Sequence, residues 1–199
     1  MTRGNNRNQV FVRAEDYDYF LTRIAKYKAD HSFSLYHYCL MPNHTHFLIQ
    51  TNNADDFAQF MKKLNLSYFH YYKKHYGWVG HFWQDRYKAQ PVGKDEYFLQ
   101  CGKYIELNPV RAEIVQSAED YPYSSYAHYR LGQPNNLLTE DMFYSELGST
   151  PTERQVRYNK LVVGGLIQEG YKKKVWSGSG SQKHNETEKI RFHLNKRKG

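Results

Sequence analysis

The stretch Tyr38-Cys39-Leu40-Met41-Pro42-Asn43-His44-Thr45-His46-Phe47-Leu48-Ile49-Gln50 constrains the fold of this chain more than any other. It is apolar and β-branched on both sides of a Pro-Asn break, which reads as two short strands joined by a tight turn. Strands joined so closely pair antiparallel. On the second strand side chains alternate, so His44 and His46 share one face, roughly 7 Å apart along it, while Thr45, Phe47 and Ile49 take the other. Two ring nitrogens at that spacing can converge on one divalent ion at about 2 Å each. The alternative is a pair of polar residues on a half-exposed strand, and ten histidines in the chain make one such pair unsurprising.

Elements on either side extend this hairpin into a pattern. Tyr17, Phe20, Leu21, Ile24 and Tyr27 recur at helical spacing and predict a helix over Asp16–Asp30, followed by a strand over Ser32–Met41. Phe57, Phe60, Met61, Leu64, Tyr68 and Tyr71 form the stripe of a long helix over Asp55–Tyr76. Gly77 and Gly80 break it, and His81–Val92 reads as a further strand, with Arg86 and Lys88 on one face. With a strand before the first helix, the order is the split βαββαβ of ferredoxin-like folds, an α+β class with an antiparallel sheet.

Beyond the sheet, Tyr97, Cys101, Tyr104 and Asn108 fall on one stripe of a helix over Lys94–Asn108. Pro109 ends that helix and opens a short one through Val115, with Asn108 as its cap. Thr150-Pro151-Thr152-Glu153 is a capping box that starts a helix running to about Val163, before Gly164-Gly165. Ser177-Gly178-Ser179-Gly180-Ser181 reads as a flexible linker, and Lys183, Lys189, Arg191, Lys196, Arg197 and Lys198 as a basic tail. The organisation expected is a domain over residues 1–131, a helical extension over 132–175 and a tail over 176–199.

Composition narrows the partner. A net charge of +8 calls for an anionic one, and 19 Tyr with 11 Phe supply rings that can stack on unpaired bases. A basic protein with an aromatic core has the same composition. Cys39 and Cys101 form no Cys-x-x-Cys pattern and read as buried, reduced thiols of a cytoplasmic protein. No apolar run is long enough for a membrane span.

Four segments carry a family resemblance: Arg3-Gly4-Asn5-Asn6-Arg7, Tyr38 through His46, Gly80-His81-Phe82-Trp83-Gln84-Asp85-Arg86-Tyr87, and Tyr104-Ile105-Glu106-Leu107-Asn108-Pro109-Val110-Arg111-Ala112. Taken together and in this order, they resemble the REP-associated tyrosine transposases, a branch of the single-tyrosine transposases of insertion sequences. The likeness covers about the first two thirds of the chain. It implies that His44 and His46 hold a Mg²⁺ or Mn²⁺ ion with Asn108 as third ligand, and that Tyr104 is the nucleophile. The implied activity is cleavage and strand transfer of single-stranded DNA at repeated hairpins through a 5′-phosphotyrosine, by a monomer or homodimer. Thr45 stands where the family carries a large apolar residue. The family also has a strand ahead of the Arg-Gly turn. Here Met1 falls where that strand would end, so the first strand is expected to be truncated and the true start to lie upstream.

The chemistry suits these residues. A divalent ion offsets the charge of a phosphodiester, and a phenol can take over its phosphorus to give a covalent intermediate. With pKa near 10, a free phenol needs a site that accepts its proton. Arg3, Arg7, Arg86, Lys88 and Arg111 are the candidates for DNA contact; capping or a salt bridge with Glu106 or Glu113 is an equal reading for Arg111. Two rivals stand beside this one. The first is a nucleic-acid-binding protein without catalysis. The second is a zinc hydrolase using His44 and His46, which lacks an acidic residue in a recognisable pattern nearby.

Overall fold

In the hairpin, apolar side chains project from both faces, so each face must be covered. A computed structural model describes residues 1–92 and 95–177. Strand β2 (Ser34–Met41) pairs antiparallel with β3 (His44–Gln50), placing Cys39 opposite His46 and Met41 opposite His44. A short β1 (Thr2–Arg3) pairs antiparallel along the other edge of β3, with Arg3 opposite His44, giving the order β1-β3-β2.

One face is covered by α1 (Ala14–Lys28) and α2 (Ala54–Tyr76). Their inner residues Phe20, Ile24, Phe60, Leu64 and Tyr68 form a core with Leu40 and Phe47 of the sheet. Asp16 closes the start of α1 by accepting from the Val12 and Arg13 amides at 2.8 and 2.9 Å, and it also accepts from the Tyr71 and Tyr76 hydroxyls of α2. Asn53 caps α2 at its start, and Gly77, in left-handed backbone at φ 63°, ends it.

The opposite face is covered by α3 (Asp95–Glu106), whose Cys101 and Ile105 pack on Cys39, Met41 and Leu48. Both cysteines are buried free thiols. Helices α4 (Asn108–Arg111), α5 (Tyr126–Leu131), α6 (Met142–Glu146) and α7 (Pro151–Ser177) follow. Leu107, Tyr126, Tyr129, Tyr144, Tyr158 and Val162 make a third core, and the Tyr129 hydroxyl donates to the Tyr36 carbonyl of β2 at 2.8 Å. None of the described helices is long and apolar enough to cross a membrane.

Three expectations need correction. The stretch His81–Val92 is not a regular strand. It does lie beside β1: Asn5 donates to the Phe82 carbonyl, Gln84 to that of Arg3 and Lys88 to that of Met1. Phe82 and Trp83, however, both pack into the α1–α2 core, whereas a strand would send neighbours to opposite faces. The Trp83 indole donates to the Asn65 carbonyl of α2, which holds this twist, and the chain bends through Gln84–Arg86. Exposed Arg86 and Lys88 therefore share no strand face. Second, the helix after Asn108 stops at Arg111 rather than Val115, and Leu107, not Asn108, precedes its first residue. Third, α7 begins at the expected capping box, with Glu153 and Thr150 bonding each other's backbone amides, but continues past Gly164 to Ser177. The expected Gly-Ser linker beyond Ser177 and the basic tail lie outside the described residues.

Candidate metal and nucleophile site

The two crossover helices α1 and α2 lie on one face of the sheet, and the candidate residues gather on the other. Alternation along β3 sends Thr45, fully buried, away from this face and turns His44 and His46 toward it. Their rings lie 4.7 Å apart, centroid to centroid. Helix α3 brings Tyr104 over the same face, with its ring centroid 6.3 Å from that of His46 and nearly perpendicular to it. Two residues of the hairpin thus meet one that is distant in sequence, from the helix that covers it.

Both imidazoles are held neutral. Burial pushes His44 down to about 4, helped by the positive charges of Arg3 and the α-amino group. Burial also pushes His46 down, with His44, the α-amino group and Arg3 adding to it. A neutral imidazole keeps a lone pair for a metal, and a protonated one does not. His44 is oriented as well: its Nδ1 lies 2.5 Å from the Asn43 Oδ1, so Nδ1–H donates there and Nε2 carries the lone pair. Asn43 in turn donates from Nδ2 to the Arg7 carbonyl at 3.3 Å. The sequence marked Asn43 only as a turn residue; its place beside His44 was the available signal.

Asn108 lies one turn beyond Tyr104. Its Nδ2 donates to the Tyr104 and Ile105 carbonyls at 2.9 and 3.2 Å, so it closes the end of α3 rather than the start of α4. That bonding turns the amide oxygen away from those carbonyls. Arg111 lies over the Tyr104 ring, its guanidinium carbon 4.6 Å from the centroid, and donates to the Tyr104 carbonyl at 2.8 Å. Capping is thus among its contacts. Glu106, one of the salt-bridge partners considered for it, is buried among His37, Ser125 and Tyr158.

Of the other basic candidates, Arg3 lies against His44, and Arg7 sits exposed in the turn that Asn43 grips, with φ 60°. Lys88 lies 3.9 Å from Asp85, with both side chains largely exposed. Tyr97 falls on α3, but its side chain is outside the described ones.

The donor set fits a divalent transition ion in part. Two adjacent neutral imidazoles suit Mn²⁺ better than Mg²⁺, which prefers oxygen. Among the described residues no group of three His, Cys, Asp or Glu side chains is placed to hold a metal. A zinc hydrolase centre with a carboxylate ligand is therefore not found among them.

The family model described as "Transposase IS200 like" matches residues 1–108, the span from β1 through Asn108. A Haemophilus influenzae protein described as a REP-associated tyrosine transposase is 30% identical over 99 residues, 44% of this chain and 56% of that protein. The chain thus matches little more than half the length of that relative. The solved structure of a REP-associated tyrosine transposase bound to a REP hairpin superposes with a TM-score of 0.55 at 21% identity, covering 70% of this chain and 82% of that one. That likeness is one of fold. The match across the sheet, its helices and the Tyr104–Asn108 segment places the chain in the family of IS200-like transposases.

Proposed function

We propose that this protein cuts and rejoins single-stranded DNA at hairpin sequences, with Tyr104 as nucleophile. The observation that carries the reading is the meeting of Tyr104 with His46 and His44 on one face of the sheet. Family membership supports the reaction class, and the related fold bound to a REP hairpin supports the kind of DNA.

His44, His46 and Asn108 are the residues that would hold a Mn²⁺ or Mg²⁺ ion. A bound ion there would neutralise phosphate charge and polarise the P–O bond. The Tyr104 oxygen forms a bond to phosphorus as the bond from phosphorus to the 3′ oxygen breaks. The 5′-phosphate stays on the tyrosine, the phenol proton is given up, and the released 3′ oxygen gains one. A DNA hydroxyl then reverses the step without an external energy source, because the phosphotyrosine retains the ester. Arg111 fixes the plane of the phenol ring, and the bonds of Asn108 and Arg111 to the Tyr104 carbonyl hold the helix end beneath it. Arg3, Arg7, Arg86 and Lys88 supply phosphate contacts along the β1 edge.

The test uses a 3′-labelled hairpin oligonucleotide with Mn²⁺. Wild-type protein acquires the label covalently, and Tyr104→Phe does not while still binding the DNA. Binding by the wild type without any covalent label would leave a nucleic-acid-binding protein and overturn catalysis.

A further inference from the structure

A cluster of buried charged groups lies under the nucleophile's helix, away from the paired imidazoles. His37 of β2 is 1% exposed, and Glu106 of α3 and Asp141 are 0% exposed. The His37 Nδ1 lies 2.9 Å from a Glu106 oxygen and its Nε2 3.0 Å from an Asp141 oxygen. With a carboxylate on each side, both nitrogens donate and the ring is an imidazolium. Glu106 also accepts from the Ser125 hydroxyl at 2.6 Å and the Tyr158 hydroxyl of α7 at 2.5 Å. Asp141 has a second duty, accepting from the Phe143 amide at 2.8 Å to start α6.

Burying three ionisable groups is costly unless each is paired and hydrogen-bonded, and a single removed partner leaves a charge stranded. Here each has directional partners. They come from a strand, from the helix two residues after Tyr104, and from segments beyond residue 108, where the family match ends. Gly102 lies on the same helix, and a Cβ there would stand 2.7 Å from the His37 Nε2, so α3 is seated as close to β2 as the ring allows.

We infer that His37, Glu106, Asp141 and Tyr158 form a positioning clamp that fixes α3 on the sheet, and that the C-terminal segment thereby sets where Tyr104 stands relative to His44 and His46. The clamp rests on the reading of Tyr104 as nucleophile. None of its members touches the reacting atoms. They act through the helix: its depth is set at Glu106, and Tyr104 is half a turn away. An apolar core could hold a helix against a sheet, but hydrogen bonds between fixed atoms also set its rotation and its slide.

The experiment compares wild type, His37→Gln and Tyr158→Phe with the 3′-labelled hairpin and Mn²⁺ under single-turnover conditions. It is paired with hydrogen–deuterium exchange of α3, β2 and β3 in the DNA-free protein. The clamp predicts that His37→Gln lowers the rate constant for adduct formation roughly 10- to 100-fold, as expected for a displacement near 1 Å. Tyr158→Phe lowers it less, and DNA affinity stays unchanged in both. Exchange should quicken in α3 and not in β2 or β3. A role in stability alone would lower the reacting fraction and leave the rate constant as it was, and that result overturns the clamp. Wild-type rates in both variants overturn it too, with the nucleophile intact. Failure of the wild type to form an adduct overturns the reading of Tyr104, and the clamp's bearing on catalysis with it.

Discussion

Asn43 shows how much of this site depends on a neighbour. Its carbonyl oxygen takes the Nδ1 proton of His44 and leaves Nε2 as the only lone pair that ring can offer. Such partners of metal-binding imidazoles are typically worth 10–100-fold in affinity or activity. Asn43→Ala should therefore weaken Mn²⁺ binding and slow adduct formation by about that factor, read by metal titration and by the label assay. His37 makes a separate prediction. Burial alone would lower its pKa, but the bonds to Asp141 and Glu106 outweigh burial and raise it to about 9. In the unfolded chain it returns to near 6.5. The folded state therefore keeps a proton that the unfolded state gives up, so this contribution is complete below pH 6.5 and is lost as pH rises through about 9. Chemical denaturation should show a loss of stability between pH 6 and pH 9 that is smaller in His37→Gln. The pairing of His44 with His46 was legible because alternation along a strand is a local rule. The partners of His37 were not, since Glu106 and Asp141, and the Ser125 and Tyr158 hydroxyls that bond Glu106, are brought together only by tertiary packing.

Among the elements, α3 is the one on which the site depends, and Gly102 is where it is tightest. Gly102→Ala adds a Cβ within 2.9 Å of three atoms of the buried His37 ring. Overpacking of this kind costs about 1–3 kcal/mol, so the variant should melt earlier and form adduct more slowly, measured by thermal unfolding and single-turnover assay. Helices α1 and α2 were readable to within two residues at each end, because their stripes face a single core. Where the reading went astray, packing had overruled a local signal. Phe82 and Trp83 alternate with polar neighbours poorly and both turn into one core, so the segment beside β1 stays irregular. Gly164 did not end α7: it lacks the left-handed backbone that ends α2 at Gly77, and a glycine inside a helix costs only about 1 kcal/mol. Asn108 met a proline that fixed its position, but which of the two adjoining helices its amide would serve was not written locally.

Across the whole molecule, the three-stranded sheet with α1 and α2 on one side leaves its other face open, and the chain uses that face for α3 and the site. The net charge of +8 adds attraction for DNA without sequence preference. On a single strand each neutralised phosphate contributes about 0.7 to the slope of log affinity against log salt. Arg86→Ala with Lys88→Ala should therefore reduce the slope by about 1.4, measured by fluorescence anisotropy over a salt series. An unchanged slope would remove both residues from the DNA interface. The most direct measurement is mass mapping of the covalent product. The protein is allowed to react with a hairpin oligonucleotide and Mn²⁺, digested with protease and nuclease, and its peptides are weighed. The account predicts a nucleotide phosphate on the peptide carrying Tyr104 and on none of those carrying the other tyrosines. A modified peptide elsewhere, or DNA cleaved with no modified peptide at all, would contradict it.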